Sequence, residues 1–296
     1  MKLTNKHNVN PIWEKAIRDA QWQYKATHDK ASDISVTQLI NSPQIVHLQK
    51  VHGEDIEEDV TDNLYSLEGS IIHSILEKAG ESVDNLTVEK RLYWDVEVQE
   101  MGVFKISGMF DAYDWDTKTL SDYKYCSVWE FINGVKVDRV RQLNVLAYLA
   151  HHNGYEVEKI TAEAFFRDWS PSQAKKGGNY PALKVASFEL PLWPYEEQKR
   201  YVEDRVELHM MTQNGHPYEC TEEERWAKPD VWAVMKQGRK SAVKLHEIEE
   251  EAHNHVTKLG TANHYIQHRP GENTRCENYC NVREFCSQYK EMVNES

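Results

Sequence analysis

The sequence predicts an α/β protein with a central mixed β-sheet flanked by helices, followed by a cysteine-rich C-terminal module. Three observations predict this fold class. Apolar residues recur at helical spacing in some segments, and they alternate with polar residues in others. The order helix, three strands, helix, strand is typical of an α/β sandwich. Four of the five cysteines lie beyond residue 216, where the character of the chain changes.

Four segments have the apolar spacing of an amphipathic helix, with hydrophobic residues three or four positions apart. They are residues 10–30, with Trp13 and Ile17; 64–79, with Leu67, Ile71, Ile75 and Leu76; 137–152, with Val140, Leu143 and Leu146; and 194–212. Gly154 follows the third segment, as glycine often does at the end of a helix.

Alternating apolar and polar residues predict five strands, because successive side chains of a half-buried strand point to opposite faces. The predicted strands are 92–99, 103–113, 119–129, 160–168 and 182–190. Residues 114–118 read Asp-Trp-Asp-Thr-Lys and are suited to a turn. The second and third strands are therefore expected to form a hairpin.

The composition is that of a soluble protein, since 40% of the 296 residues are hydrophobic and 28% are charged. We expect no membrane association and a cytoplasmic location, because no apolar run approaches ~18 residues and the N-terminus lacks a signal-peptide pattern. We expect two domains, residues 1–215 and 216–296, with the second packed back on the first. The net charge of −13 disfavours non-specific nucleic-acid binding unless positive charge is concentrated in a groove.

The triplet Asp122-Tyr123-Lys124 is the centre of the chemical argument. Residues two apart in a strand share a face, so Asp122 and Lys124 are expected to project together. A carboxylate beside an ammonium group suits a metal ligand next to a group that orients water. Asp111 ends the preceding strand and can converge with Asp122 in a hairpin. Carboxylates in this arrangement suit a magnesium ion that also contacts a phosphate.

An ordered series of short motifs extends this argument along the chain. The series is Gly69-x-x-x-His73, Gly108-x-x-Asp111, Asp122-Tyr123-Lys124 and Arg141-Gln142-Leu143-Asn144. It resembles the RecB-type PD-(D/E)XK nucleases, especially those of bacteriophages, which are related to CRISPR-associated exonucleases with an iron–sulfur cluster. The resemblance covers roughly residues 34–288. It implies a restriction-endonuclease-like core with a C-terminal cysteine-ligated metal module.

The resemblance also implies a role for each residue of the series. His73, Asp111, Asp122 and the carbonyl of Tyr123 would hold Mg²⁺ or Mn²⁺. Lys124 would position the attacking water or stabilise the phosphate, and Gln142 would orient the site or contact DNA. The family places a tyrosine four residues after the glutamine, where this chain has Leu146, and Tyr148 is not assigned a catalytic role. Glu89 is expected to face solvent, with an accessory metal ligand as the alternative.

Cys276-x-x-x-Cys280-x-x-x-x-x-Cys286 is dense for a cysteine-poor chain, and Cys220 is the expected fourth ligand. Four thiolates bind either zinc or an iron–sulfur cluster, and the spacing does not choose between them. The resemblance favours a structural [4Fe–4S] cluster. Cys126 is expected to pack in the core.

The predicted function is metal-dependent DNA hydrolysis, with DNA that has a free end as the substrate and Arg239 and Lys240 as candidate phosphate contacts. The resemblance implies a phage exonuclease in the host cytoplasm that acts in recombination, replication or DNA-end processing, with unidentified protein partners. Two alternatives stay open: a catalytically inactive DNA-binding protein of the same fold, and a restriction-type endonuclease.

Overall fold

The computed structural model describes residues 2–27 and 31–294, and the side chains of residues 2–20 and 31–294. The chain divides into two compact units. The first unit contains the residues up to His47 together with Gly53–Pro217. The second contains Leu48–His52 and the residues from Tyr218 onward.

The first unit alternates helices with strands. Its elements are β1 Lys2–Thr4, α1 Pro11–Thr27, β2 Ile34–Ser35, α2 Val36–Leu39, α3 Pro43–Val51 (which continues into the second unit), β3 Glu57–Asp59, a 3₁₀ turn Val60–Asn63, α4 Leu64–Gly80, β4 Leu86–Val98, β5 Gly102–Asp114, β6 Thr119–Cys126, α5 Val128–Ile132, α6 Val137–His152, β7 Lys159–Phe166, α7 Pro171–Ala174, β8 Val185–Leu190 and α8 Tyr195–Gln213. Residues 28–30 of the predicted first helix lie outside the described residues.

The central sheet is mixed, as the sequence predicts. Strand β5 is antiparallel to both β4 and β6, β6 and β7 are parallel, and β8 is antiparallel to β7. The parallel pair is joined through α6, the crossover helix that parallel neighbours require. Strand β4 pairs along β5 from one end to the other, while β2 pairs with the middle of β5 and β6 with its C-terminal end. Strand β5 is therefore the centre of the sheet.

Helix α6 packs closely on the middle of β5. A Cβ atom built on Gly108 would lie 2.6 Å from the side chains of Leu146 and Val36, and 3.0 Å from Leu149. Leu146 and Leu149 are almost completely buried in the main core. The glycine of the Gly108-x-x-Asp111 motif therefore permits this close approach of helix to strand.

Strand β4 begins at Leu86, six residues before the predicted start at residue 92, and two other predicted elements also differ from the structure. The third strand ends at Cys126 rather than at residue 129, because Ser127 begins α5 and Asp168 accepts the N–H of Val128 at 2.8 Å. Helix α4 does not bury Ile71 and Ile75, which are 49% and 61% exposed. Its more buried face is shifted by one position and includes His73.

The second unit contains a small sheet and two short helices near the cysteines. Its elements are α9 Glu222–Arg225, β9 Ala227–Lys228, β10 Val231–Lys236, β11 Lys244–His246, α10 Glu249–Leu259, β12 His264–Arg269, β13 Glu272–Asn273, α11 Thr274–Asn278, a 3₁₀ turn Arg283–Phe285 and α12 Ser287–Asn294. Strand β10 lies between β11 and β12, and α10 packs on them through Ala252 and Val256. None of the described helices has the length and apolar character needed to cross a membrane.

Substituting Gly108 tests the packing of α6 on β5. We expect Gly108→Ala to lower the free energy of unfolding by about 1–3 kcal/mol, the usual cost of overpacking a tight core. Gly69→Ala is the matched control, because its added Cβ meets no atom within 4 Å and alanine favours a helix interior. Urea unfolding of both variants measures the difference. Equal stability of the two variants would contradict the close approach.

Candidate active site and cysteine cluster

The candidate site begins where β5 and β6 separate. The last paired residues of this hairpin are Ala112 and Ser121. At the next position Asp111 turns its carboxylate into the gap and accepts the backbone N–H of Tyr123 at 2.5 Å. A buried amide needs a partner, and here the side chain replaces the bond that the neighbouring strand would supply. The Asp111 carboxylate is therefore held in place by the main chain of β6.

Helix α4 contributes His73 to the same position. Its Nε2 donates to the carbonyl oxygen of Tyr123 at 2.9 Å, and its Nδ1 lies 3.6 Å from Asp111 Oδ1. A carbonyl can only accept, so this bond places the ring proton on Nε2 and leaves Nδ1 as the metal-binding nitrogen. His73 and Asp111 thus meet as the sequence predicts, and the Tyr123 carbonyl orients the histidine.

Glu89 joins this group, contrary to the expectation that it faces solvent. On β4 and β5, Val88 pairs with Ala112 and Lys90 pairs with Phe110, so Glu89 lies opposite Asp111. The ladder is interrupted at this pair, and Glu89 has a φ of +48°. A left-handed glutamate within a strand is strained and is typical of functional sites. Sequence reasoning could not place Glu89 beside Asp111, because residue spacing alone does not define the register of β4 on β5.

Asp122, Lys124 and Gln142 form the adjoining part of the site. Lys124 Nζ makes an ion pair with Asp122 Oδ2, and both side chains are largely buried. Gln142 on α6 donates from Nε2 to Asp122 Oδ1 at 3.4 Å. The predicted shared face of Asp122 and Lys124 is confirmed by their ion pair.

Burial and a neighbouring carboxylate raise the pKa of two carboxyl groups in the site. Burial and the nearby charge of Asp122 raise the pKa of Asp111 to about 6, although His73 and Lys124 oppose the shift. Burial and the charge of Asp111 raise the pKa of Glu89 to about 7. Both shifts mean that the ionised carboxylates are unfavourable where they lie. A cation bound between them would remove this repulsion.

The donor set fits a divalent cation. One ligand atom each from His73, Glu89 and Asp111 lies within 4.8 Å of the other two, and this is the sole group of that kind among the described residues. Two carboxylates and one imidazole suit Mg²⁺ or Mn²⁺. Asp122, predicted as a ligand, lies outside this group and pairs with Lys124 instead.

The position at which the resembled nucleases carry a tyrosine holds a buried leucine in this chain. Leu146 is buried against Gly108, and it lies one helical turn from Gln142. Tyr148 is also buried, and its ring contacts His152 and Tyr195. Neither of these two ring contacts of Tyr148 involves a residue of the carboxylate cluster.

The cysteines of the second unit are brought together by short elements. Pairing of β9 with β13 closes the base of the segment between Cys220 and Cys276. Gln288, which follows Cys286 in α12, accepts the N–H of Cys220 at 2.9 Å and donates to its carbonyl oxygen at 3.0 Å. Burial and the neighbouring sulfurs of Cys280 and Cys286 raise the pKa of Cys276. None of the five cysteines forms a disulfide, and Cys126 is buried in the core of the first unit.

Arg239 and Lys240 belong to the second unit. They are exposed in the turn between β10 and β11 of the second unit, where Arg239 Nε donates to Ser241 Oγ at 3.1 Å. The cluster of carboxylates belongs wholly to the first unit.

Comparison with known proteins bears on the fold. No protein-family model matches the chain, and no curated protein matches it in sequence. The structure is similar to the crystal structure of the archaeal protein SSO0001, with a TM-score of 0.50 and 18% identity. The match covers 73% of this chain and 90% of SSO0001. At this identity the likeness shows the mixed α/β fold with a central sheet flanked by helices.

The raised pKa values of Glu89 and Asp111 predict a stability that falls with pH in metal-free protein. The folded state binds these protons more tightly than the unfolded state, so the stabilisation is complete below about pH 4 and is lost as pH rises to about 7. Glu89→Gln removes part of the repulsion. We expect it to raise the melting temperature in EDTA at pH 8 by roughly 2–4 °C, with little change at pH 4.

The matched control is Glu189→Gln on β8, an exposed glutamate far along the sheet from β4. It should leave the melting temperature unchanged at both pH values. Mg²⁺ should stabilise the parent more than Glu89→Gln. A lower melting temperature of Glu89→Gln in EDTA at pH 8 would show that Glu89 is not under electrostatic strain.

Proposed function

We propose that this protein is a divalent-metal-dependent deoxyribonuclease of the PD-(D/E)XK class that hydrolyses phosphodiester bonds at DNA ends. The observation that carries the proposal is the convergence of His73, Glu89 and Asp111 on one point, beside the Asp122–Lys124 ion pair. Carboxylates that repel one another next to a buried lysine are the arrangement that a metal-assisted reaction at a phosphate needs.

Each residue has a role in this proposal. Bound Mg²⁺ or Mn²⁺ would stabilise charge on the phosphate and lower the pKa of a bound water. Asp111 and Glu89 supply oxygen donors, and His73 supplies Nδ1. Lys124 orients the attacking water or neutralises the phosphate, while Asp122 holds the Lys124 ammonium group. Gln142 in turn orients Asp122.

The exonuclease activity is proposed with two alternatives. An inactive DNA-binding protein would bind DNA without cutting it, and an endonuclease of restriction type would cut closed circles. Incubation of linear and closed circular DNA with Mg²⁺, Mn²⁺ or EDTA separates the three. We expect degradation of linear DNA only, and only with a divalent cation. Its proposed setting is phage recombination, replication or end processing, with the proteins of those reactions as partners.

A [4Fe–4S] cluster is the proposed ligand of Cys220, Cys276, Cys280 and Cys286, with Zn²⁺ as the alternative. Four thiolates suit either group, and the resemblance to nucleases with an iron–sulfur cluster is what favours the cluster.

Asp122→Ala and Lys124→Ala test the catalytic role. Each should reduce DNA cleavage by ~10²-fold or more, because the ammonium and its carboxylate act at the reacting phosphate. Lys118→Gln in the same hairpin is the control, since Lys118 pairs with Glu158 on the surface and should leave cleavage unchanged. Circular dichroism verifies folding. If either variant retains more than a few per cent of the parent's cleavage rate, the catalytic site lies elsewhere.

Cys280→Ala tests the structural role of the cysteines. The variant should lose bound iron and stability, up to ~4 kcal/mol in the chain-entropy picture, for a loop of about 66 residues from Cys220 to Cys286. The β9–β13 pairing already constrains that loop, so the loss should stay below this value. Cleavage per folded molecule should persist. Cys126→Ala is the control and should retain the iron, and a stable but inactive Cys280→Ala would instead couple the cluster to catalysis.

A further inference from the structure

A strip of aromatic rings and cations extends from the candidate active site along the C-terminal ends of β6 and β7. We propose that this strip binds single-stranded DNA and leads it to the metal, an inference that rests on the proposed nuclease function. The strip consists of Tyr65, Tyr123, Tyr125, Phe165, Arg167 and Lys184. All six residues belong to the first unit.

The strip adjoins the candidate metal ligands at Tyr123, on the face of β6 opposite to Asp122 and Lys124. Tyr123 and Tyr125 are two apart on β6 and therefore project on one face, about 7 Å from each other. The carbonyl of Tyr123 accepts from His73, whose ring meets the Tyr123 ring edge-on at 5.9 Å. Tyr125 pairs in register with Phe165 of β7, and their ring centroids lie 6.1 Å apart. A strand stacked on these rings would pass beside His73, whose ring belongs to the metal-ligand group.

Two cations lie on rings of the strip. The Arg167 guanidinium is 5.1 Å from the ring centroid of Tyr65, and Lys184 Nζ is 4.9 Å from that of Phe165. Among the described residues neither cation makes an ion pair, in a chain whose acidic groups outnumber its lysines and arginines by 48 to 35. A cation left on an aromatic face keeps its charge available for a phosphate.

The rings are accessible to bases. Tyr65 is 67% exposed, and Tyr125 and Phe165 are half-buried on the sheet. Base stacking on aromatic rings requires an unpaired strand, since the faces of bases in a duplex are covered by their neighbours. Glu68 and Asp168 lie near Tyr125 and oppose phosphate binding there, while Arg167 lies beside them. The chemistry favours single-stranded DNA with its bases on the rings and its phosphates at Arg167 and Lys184.

Fluorescence anisotropy with oligo(dT) and with an abasic strand of the same length tests the strip in EDTA, where the proposed cleavage is blocked. Tyr65→Ala should weaken oligo(dT) binding about tenfold and leave abasic-strand binding unchanged, because only bases stack. Arg167→Gln should weaken both strands and reduce the salt dependence of binding. Controls are Tyr279→Ala, whose tyrosine is 68% exposed in the second unit, and Arg200→Gln on α8.

The outcomes separate this inference from the nuclease proposal. If the parent cleaves DNA with Mg²⁺ and the strip variants bind both strands like the parent, the strip is wrong and the nuclease proposal stands. If the variants lose binding as expected but the parent cleaves no DNA with Mg²⁺ or Mn²⁺, the nuclease proposal fails and the strip stands. The proposed role of the strip would be wrong if the parent does not bind oligo(dT). It would also be wrong if Tyr65→Ala weakens binding of oligo(dT) and of the abasic strand equally.

Discussion

The separation of β5 from β6 is the constraint on which the candidate site depends. Past the Ala112–Ser121 pair, the Tyr123 amide is satisfied by the Asp111 carboxylate instead of by a strand. The opening between the strands therefore contains a charge that the main chain itself holds. His73 reaches the same opening from α4 and binds the Tyr123 carbonyl. The separation of the two strands therefore also determines where the candidate metal ligands lie.

The electrostatics of the site are unfavourable without a cation. Asp111 and Glu89 both have raised pKa values, because each is buried near another carboxylate. The left-handed conformation of Glu89 adds backbone strain at the same point. Buried repulsion and strain persist only where the surrounding fold imposes them, and here the long β4–β5 ladder and the packed α6 do so. Packing in the core compensates for the stability that the strained and repelling site loses.

The two units have different physical tasks. The first holds the carboxylate cluster on a sheet with an extensive core, so its side chains are oriented by regular structure. The second has a small core, centred on Val234, Ala252 and Val256, and its cysteines lie on short elements outside that core. Small cores supply little stability, and a bound metal centre commonly compensates for this. The proposed cluster would serve that purpose between Cys220 and Cys286.

Local sequence patterns determined the helices and strands of the central sheet, because side-chain periodicity depends only on neighbours along the chain. The ordered series of motifs, and the resemblance based on it, also selected His73, Asp111, Asp122 and Lys124 as candidate site residues. Glu89 could not be assigned in this way, since its place opposite Asp111 depends on the register of two strands. The buried Leu146 beside Gly108 and the small sheet between Cys220 and Cys276 were likewise decided by long-range packing, which no short pattern encodes.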